Sequence, residues 1–215
     1  MTKITVVGGT GYVGSAIVRE AASRELPVTS YSRSSSTDPL PGVTYLHDSV
    51  LDISTQKEII KNSDVIVCAI SPRGDMEGKV ADAYKQLASL ATLEDVRLIV
   101  IGGFGSLRLA SGQPRLAESE KIATEFADEA KEMASVVEYL QSETAEDLDW
   151  LFISPADEFG AHAPGEARGQ YRVGDDVVFY DEQGNSTVSG ADFAKAVVDE
   201  IEQPSHRHAH ISIAY

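Results

Sequence analysis

Cysteine is nearly absent from this chain. Cys68 is the only one in 215 residues, so no internal disulfide can staple the fold. It lies in the apolar run Val65–Ile70 and reads as a small core residue. Basic residues are also scarce, 18 Lys and Arg against 34 Asp and Glu, for a net charge of −16. Phosphate backbones are held by clustered cations, so nucleic acid is disfavoured as the main partner. The acidity serves solubility instead. No apolar run approaches the roughly 18 residues of a membrane span. The opening MTKITVVGG runs straight into a strand and lacks the basic, apolar and cleavage regions of a secretory signal. A cytoplasmic protein with no membrane segment is therefore expected. The length suits a single domain, residues 1–215, with a core of its own.

What is present is concentrated at one end. Ile4–Val7 is a β-branched run without alternation, as in a strand buried on both faces of a parallel sheet. Gly8, Gly11 and Gly14 follow at three-residue spacing, and Ser15–Ala22 continues as a helix. Each glycine has a mechanical reason. Gly8 turns the chain out of the strand, Gly11 lets backbone amides approach a pyrophosphate, and Gly14 brings the helix close to the sheet. Thr10, Tyr12 and Val13 belong to the same turn and present backbone there. A diphosphate would sit at the helix N-terminus, where unpaired N–H groups and the macrodipole favour negative charge. A glycine-rich turn that binds nothing is the alternative.

The rest alternates strand and helix, which predicts an α/β, doubly wound, mostly parallel Rossmann-type sheet with helices on both faces. Strands are expected at Pro27–Tyr31, Val43–Leu46, Asp64–Ile70, Val96–Ile101, Asp149–Ile153 and His206–Tyr215. Helices are expected at Ser54–Lys61, Asp75–Leu93, Ser119–Glu143 and Ser189–Ile201, with Ser54 and Ser189 as N-caps. Val177–Tyr180 and Ser186–Val188 read as a small hairpin.

After the second strand an NAD-specific site usually places an acid for the ribose 2′-OH. Here the chain reads Ser32–Arg33–Ser34–Ser35–Ser36. Arg33 and Ser34 suit a 2′-phosphate, so NADP(H) is expected over NAD(H); an ordinary polar turn is the other reading. Ser71 follows the fourth strand and should face the nucleotide. Gly102–Leu107 sets three glycines beside Ser106, whose hydroxyl would point into the crevice. The loop after the sixth strand, from Ala156 to Arg172, is long enough to be functional. His206, His208 and His210 fall on one face of a strand with two-residue spacing. A closing strand with one wetter face accounts for them without a metal.

GGTGYVG (Gly8–Gly14), GGFGSL (Gly102–Leu107), WLFISPADEF (Trp150–Phe159) and the tail from GQYRVGDD onward together resemble one family. They look like the NADH-flavin reductase-type proteins of the atypical short-chain dehydrogenase/reductase superfamily, relatives of biliverdin/flavin reductases and NmrA-like proteins. The resemblance covers nearly the whole chain. It implies an NAD(P)H-dependent oxidoreductase reducing free flavin or a similar flat acceptor by hydride transfer. FMN or FAD would be the acceptor rather than a tightly bound group. Ser106 matches a serine that relatives keep near the nicotinamide and is the expected catalytic residue. Phe104, Phe159 and Tyr171 are candidate stacking surfaces, within an acceptor portion at about 154–188; core packing or loop anchoring is the other reading of all three.

There are departures from the pattern. The Tyr-x-x-x-Lys pair of ordinary short-chain dehydrogenases is missing: Tyr139 is followed by Glu143, and Tyr84 by Ala88. Ala156 stands where biliverdin-reducing relatives have a histidine, and His162 comes six residues later. The same gaps suit a non-catalytic NADP(H)-binding redox sensor of NmrA-like type. A small-molecule acceptor as partner and a monomer or homodimer complete the expectations.

Overall fold

Buried, β-branched segments supply the strands of one eight-stranded sheet in the computed structural model, which describes residues 1–215. In chain order the elements are β1 (Ile4–Val7), α1 (Tyr12–Ser23), β2 (Val28–Ser32), β3 (Thr44–His47), α2 (Ile53–Lys61) and β4 (Val65–Cys68). Then come α3 (Val80–Leu93), β5 (Arg97–Ile101), α4 (Ala127–Ser142), β6 (Trp150–Pro155), β7 (Arg172–Gly174), α5 (Gly190–Glu202) and β8 (Ala209–Ala214). Every residue of β1, β4, β5 and β6 is buried, as a sheet covered on both faces requires.

The strand order is β3-β2-β1-β4-β5-β6-β8-β7, with β7 alone antiparallel. Chain direction across the sheet reverses at β1, which pairs β2 on one side and β4 on the other. That reversal opens a crevice at the carboxyl ends of β1 and β4, where open α/β sheets bind ligands. One core joins the sheet to α1 and α5 through Ile17, Val18, Phe193 and Val197. The second joins the opposite face to α2, α3 and α4 through Ile59, Tyr84, Leu87, Met133 and Val137. The expected doubly wound architecture is the one observed. Ser189 caps α5 as expected, accepting the Asp192 N–H at 3.1 Å.

Several expectations are corrected. The helix expected over Ser119–Glu143 begins only at Ala127, behind 3₁₀ turns at Leu116–Glu118 and Thr124–Phe126. Helical spacing from Ile122 through Phe126, Ala130, Met133, Val137 and Leu140 suggests one continuous stripe, but Ile122 packs with the clusters of Leu107 and Leu116 and of Ala130 from ahead of the helix. The helix expected from Asp75 starts at Val80, because Gly74 and Gly78 take positive φ (+59° and +70°) around the 3₁₀ turn Gly74–Met76. Asp52 occupies the N-cap position of α2, not Ser54.

The hairpin at Val177–Val188 does not form. Val178 donates to the Arg108 carbonyl and Glu158 to the Ser186 carbonyl, so each arm pairs with a different neighbour. Only the turn Asp181–Asn185 remains of it. The closing strand starts at Ala209, so the histidines do not share a strand face. His206 meets Glu200 at 2.6 Å, His208 takes a positive φ of 50°, and only His210 is buried.

Candidate functional site

The turn from β1 into α1 is held by its glycines. Gly8 sits at φ +89°, a conformation costly for other residues, and an added Cβ would lie 2.8 Å from the Ala69 carbonyl oxygen. At Gly14 an added Cβ would lie 2.1 Å from the Gly8 carbonyl oxygen, so this glycine lets the helix touch the turn. Gly11 differs. Its φ is −74°, and the nearest atom to an added Cβ is Gly8 O at 3.4 Å. The protein therefore tolerates a side chain there, and the open side faces the crevice.

Gly11 is the N-cap of α1 and offers no side-chain acceptor. Ser15 N–H is the first to bond back, to Gly11 O at 2.9 Å, while the amides of Tyr12, Val13 and Gly14 find no acceptor in the chain. No acidic residue occupies the first turn. Unpaired amides, a helix dipole and no competing carboxylate together make an anion cradle. Thr10 donates its N–H to Ser32 Oγ at 3.1 Å, which ties the turn to the end of β2.

The cradle opens into a crevice of about 840 Å³. It is lined by Tyr31, Arg33 and Ser34 at and after the end of β2, by Ala69, Ile70 and Ser71 after β4, by Phe104 after β5, by Ile122, Phe126 and Met133 ahead of and within α4, and by Phe159 and His162 after β6. Gly8, Thr10, Gly11, Tyr12 and Val13 line it as well; buried Gly14 does not. Thr10 Oγ1 stands 3.4 Å from Ser34 Oγ. Phe159 is held by Tyr12, ring centroids 5.6 Å apart and edge-on, and by Phe193 at 4.8 Å. The loop after β6 thus leans on the glycine turn and carries His162 back to the crevice, which the sequence left open.

Two expected site residues lie elsewhere. Ser106 is fully buried, its hydroxyl has no hydrogen-bond partner, and it does not line the crevice. Successive residues of a 3₁₀ turn point about 120° apart, so Phe104 takes the crevice and Ser106 faces the core. Its expected place beside the nicotinamide is corrected. Ser106→Ala should leave turnover and nucleotide affinity unchanged, and stability equal or slightly higher. Steady-state assays and thermal melts check this, since a buried unpaired hydroxyl contributes nothing favourable. Tyr171 is likewise outside the crevice, donating its hydroxyl to Asp199 at 2.6 Å on the α5 side. It fastens a loop to a helix.

Other participants had weak sequence signals. Tyr84 is buried, accepts the Ile70 N–H at 2.8 Å and donates to the Ile70 carbonyl at 3.2 Å. Its hydroxyl fixes the end of β4 beside the crevice. Glu132 of α4 accepts the amides of Gly78 at 2.7 Å and Ala81 at 3.0 Å, capping α3 from outside. Arg73 lines the crevice, pairs with Glu129 and lies over the Phe126 ring at 5.2 Å. Asp157 also lines it, its carboxyl pushed up by burial and by the charge of Glu158.

Behind the glycine-rich turn lies a buried polar cluster. Arg115 donates to the Ser106 carbonyl at 2.5 Å, to Gln141 Oε1 at 2.8 Å and to His210 Nδ1 at 3.3 Å. A guanidinium can only donate, so Nδ1 accepts and Nε2 carries the proton, donating to Ser154 Oγ at 2.8 Å. Burial and the neighbouring Arg115 charge push the His210 pKa down to about 3. It is a neutral histidine that helps hold the crevice turn through Arg115. Nothing in its spacing with His206 and His208 announced that role.

Residues 8–204 match a family described as NAD(P)H-binding. YwnB of Bacillus subtilis, itself uncharacterized, is 31% identical over 98% of this chain and 97% of its own. A solved structure from Burkholderia pseudomallei, provisionally described as an exported protein, is 35% identical, with TM-score 0.86 over the full length of both chains. Another from Streptococcus pneumoniae, provisionally described as an NADH-flavin reductase, is 27% identical, with TM-score 0.84 over 100% of this chain and 99% of that one. No helix here is long and apolar enough to cross a membrane. A glycine turn with unpaired amides, set at the reversal of a doubly wound sheet, and a match spanning nearly all of its length place this chain in the NAD(P)H-binding family.

Proposed function

We propose that this NAD(P)H-binding oxidoreductase reduces a flat, conjugated acceptor, free flavin first among them, with NADPH as the reductant. One observation carries the reading. The glycine turn of the anion cradle and the aromatic side chains of Phe104, Phe126 and Phe159 line a single continuous crevice. The cradle fits the dinucleotide: Gly11 leaves open the space a side chain would fill, and three amides stand without acceptors.

When bound, the nicotinamide supplies the hydride, and the chain supplies position. Tyr12 and Val13 would hold the diphosphate through their unpaired amides, with Gly14 closing the turn behind them, and Arg33 with Ser34 would hold the 2′-phosphate. Ser71 would meet the nicotinamide ribose. Phe104 and Phe159 would stack the acceptor, so that the gain is proximity of two rings in a shared slot. Flavin suits a crevice without a tyrosine–lysine pair, because its reduction needs little acid–base help. Cytoplasm is the compartment this cofactor requirement fits.

The test is loss of nicotinamide absorbance on mixing the protein with NADPH and FMN, FAD or a quinone. Turnover with at least one acceptor supports the reading. Tight NADPH binding with no oxidation by any of them overturns it in favour of an NmrA-like redox sensor. That second reading rests on the missing tyrosine–lysine pair and on Ala156, which suit a sensor as well as they suit flavin reduction.

A further inference from the structure

Arg33 stands at the end of β2 with its guanidinium already occupied from within the chain. Nη2 donates to Asp75 Oδ1 at 3.1 Å, and Nη1 donates to Asp75 Oδ2. Two parallel N–H···O bonds to one planar or tetrahedral oxyanion is also how a guanidinium grips a phosphate. Asp75 thus fills the fork in the geometry a 2′-phosphate would use.

The pair is not a structural necessity. The side chains are 47% and 71% exposed, and surface pairs of this kind contribute little to stability. The partners lie 42 residues apart, so no local turn forces them together. Two features nevertheless keep Asp75 in place. Met76 beside it is buried in the core, which anchors the backbone. Gly74 at φ +59° makes the turn that brings the carboxylate to Arg33, whose side chain lines the crevice. The backbone is fixed and the side chain can rotate into solvent.

We propose that Asp75 is a specificity-determining residue, competing with the 2′-phosphate of NADP(H) for Arg33 and holding the preference for NADPH below what Arg33 alone would give. This rests on the reading of the crevice as the dinucleotide site. NADPH has to displace the carboxylate and then bring a phosphate of about two negative charges close to it. NADH, with a free 2′-hydroxyl, faces neither demand. Asp75 therefore penalises one nucleotide and is indifferent to the other. The guanidinium beside it holds its carboxyl below the ordinary range, so the competitor stays charged near neutral pH.

The experiment is calorimetric titration of NADPH, NADH, 2′,5′-ADP and 5′-AMP into the wild-type protein, Asp75→Asn, Arg33→Ala and the control Glu77→Gln. Asp75→Asn should tighten NADPH and 2′,5′-ADP by about three- to five-fold, the range open to an exposed pair. NADH and 5′-AMP should stay within experimental error. Arg33→Ala should weaken NADPH and 2′,5′-ADP selectively. Glu77→Gln, which removes an equal charge nearby, should change none of the four. The proposal is overturned if Asp75→Asn shifts both nucleotides equally or shifts neither. It is also overturned if NADH weakens, since the carboxylate would then be serving the ribose hydroxyl. If the wild type binds none of the four, the dinucleotide reading itself fails, and that result is distinct from the others.

Discussion

Gly11→Val is expected to weaken NADPH binding at least about 100-fold while leaving the melting temperature nearly unchanged. The size follows from losing two or more charge-assisted bonds, each worth about 1.5–3 kcal/mol. The selectivity follows from geometry. Gly11 adopts an extended φ that any residue can take, and its Cβ would meet only Gly8 O at an ordinary 3.4 Å. The protein therefore has room for a Cβ here, and the branched side chain of valine would fill the anion cradle. Gly14→Ala should behave in the opposite way. Its Cβ would overlap the Gly8 carbonyl at 2.1 Å, a backbone atom that can move only by opening the turn. A stability loss of about 2–4 kcal/mol is expected there. Thermal melts paired with calorimetric titration separate the two. Equal loss of stability and binding in Gly11→Val would make the glycine a structural one and overturn the cradle.

The contrast between these two glycines explains what the sequence could disclose. β1, the glycine turn and α1 were legible because their constraints are local: a buried strand, a sharp exit and a close helix need those residue types at that spacing. The parallel strands were legible for the same reason, as continuous apolar runs. Direction within a turn was not legible. Ser106 and Phe104 are two residues apart, and only the 3₁₀ geometry decides which of them meets the crevice. Ile122 and Phe126 kept helical spacing with Met133, yet two short turns satisfy the same apolar demand as one long helix. Partnerships across long separations were the least accessible. Asp75 reaches back to Arg33, and Arg115 meets His210 across 95 residues. Neither pair leaves a periodic trace.

The buried Arg115–His210 contact leads to an expected acid response. His210 has a folded pKa near 3 against 6.5 in the open chain, so between those values the unfolded state binds a proton that the folded state refuses. Stability attributable to this residue is fully present above about pH 6.5 and falls as pH drops, by about 1.4 kcal/mol per pH unit within the window. Asp192 and Asp199, whose folded pKa values are lowered, lose their contribution only below their unfolded values near 4. Asp157, raised by burial, acts in the opposite sense above its unfolded value. Among the shifted groups, His210 is the one whose contribution begins to fall as pH drops through about 6.5. Arg115 and Arg108 disfavour its protonation, and Asp176 opposes them only in part. A proton on His210 would set two cations 3.3 Å apart in the core, and Arg115 would have to leave. The Ser106 carbonyl would then lose its donor, and the turn carrying Phe104 would loosen with it. Denaturant unfolding at a series of pH values should show this slope in the wild type and a flatter one in His210→Gln, by close to one proton. Retention of the full slope in the variant would place the acid sensitivity elsewhere and leave the cluster a purely geometric support.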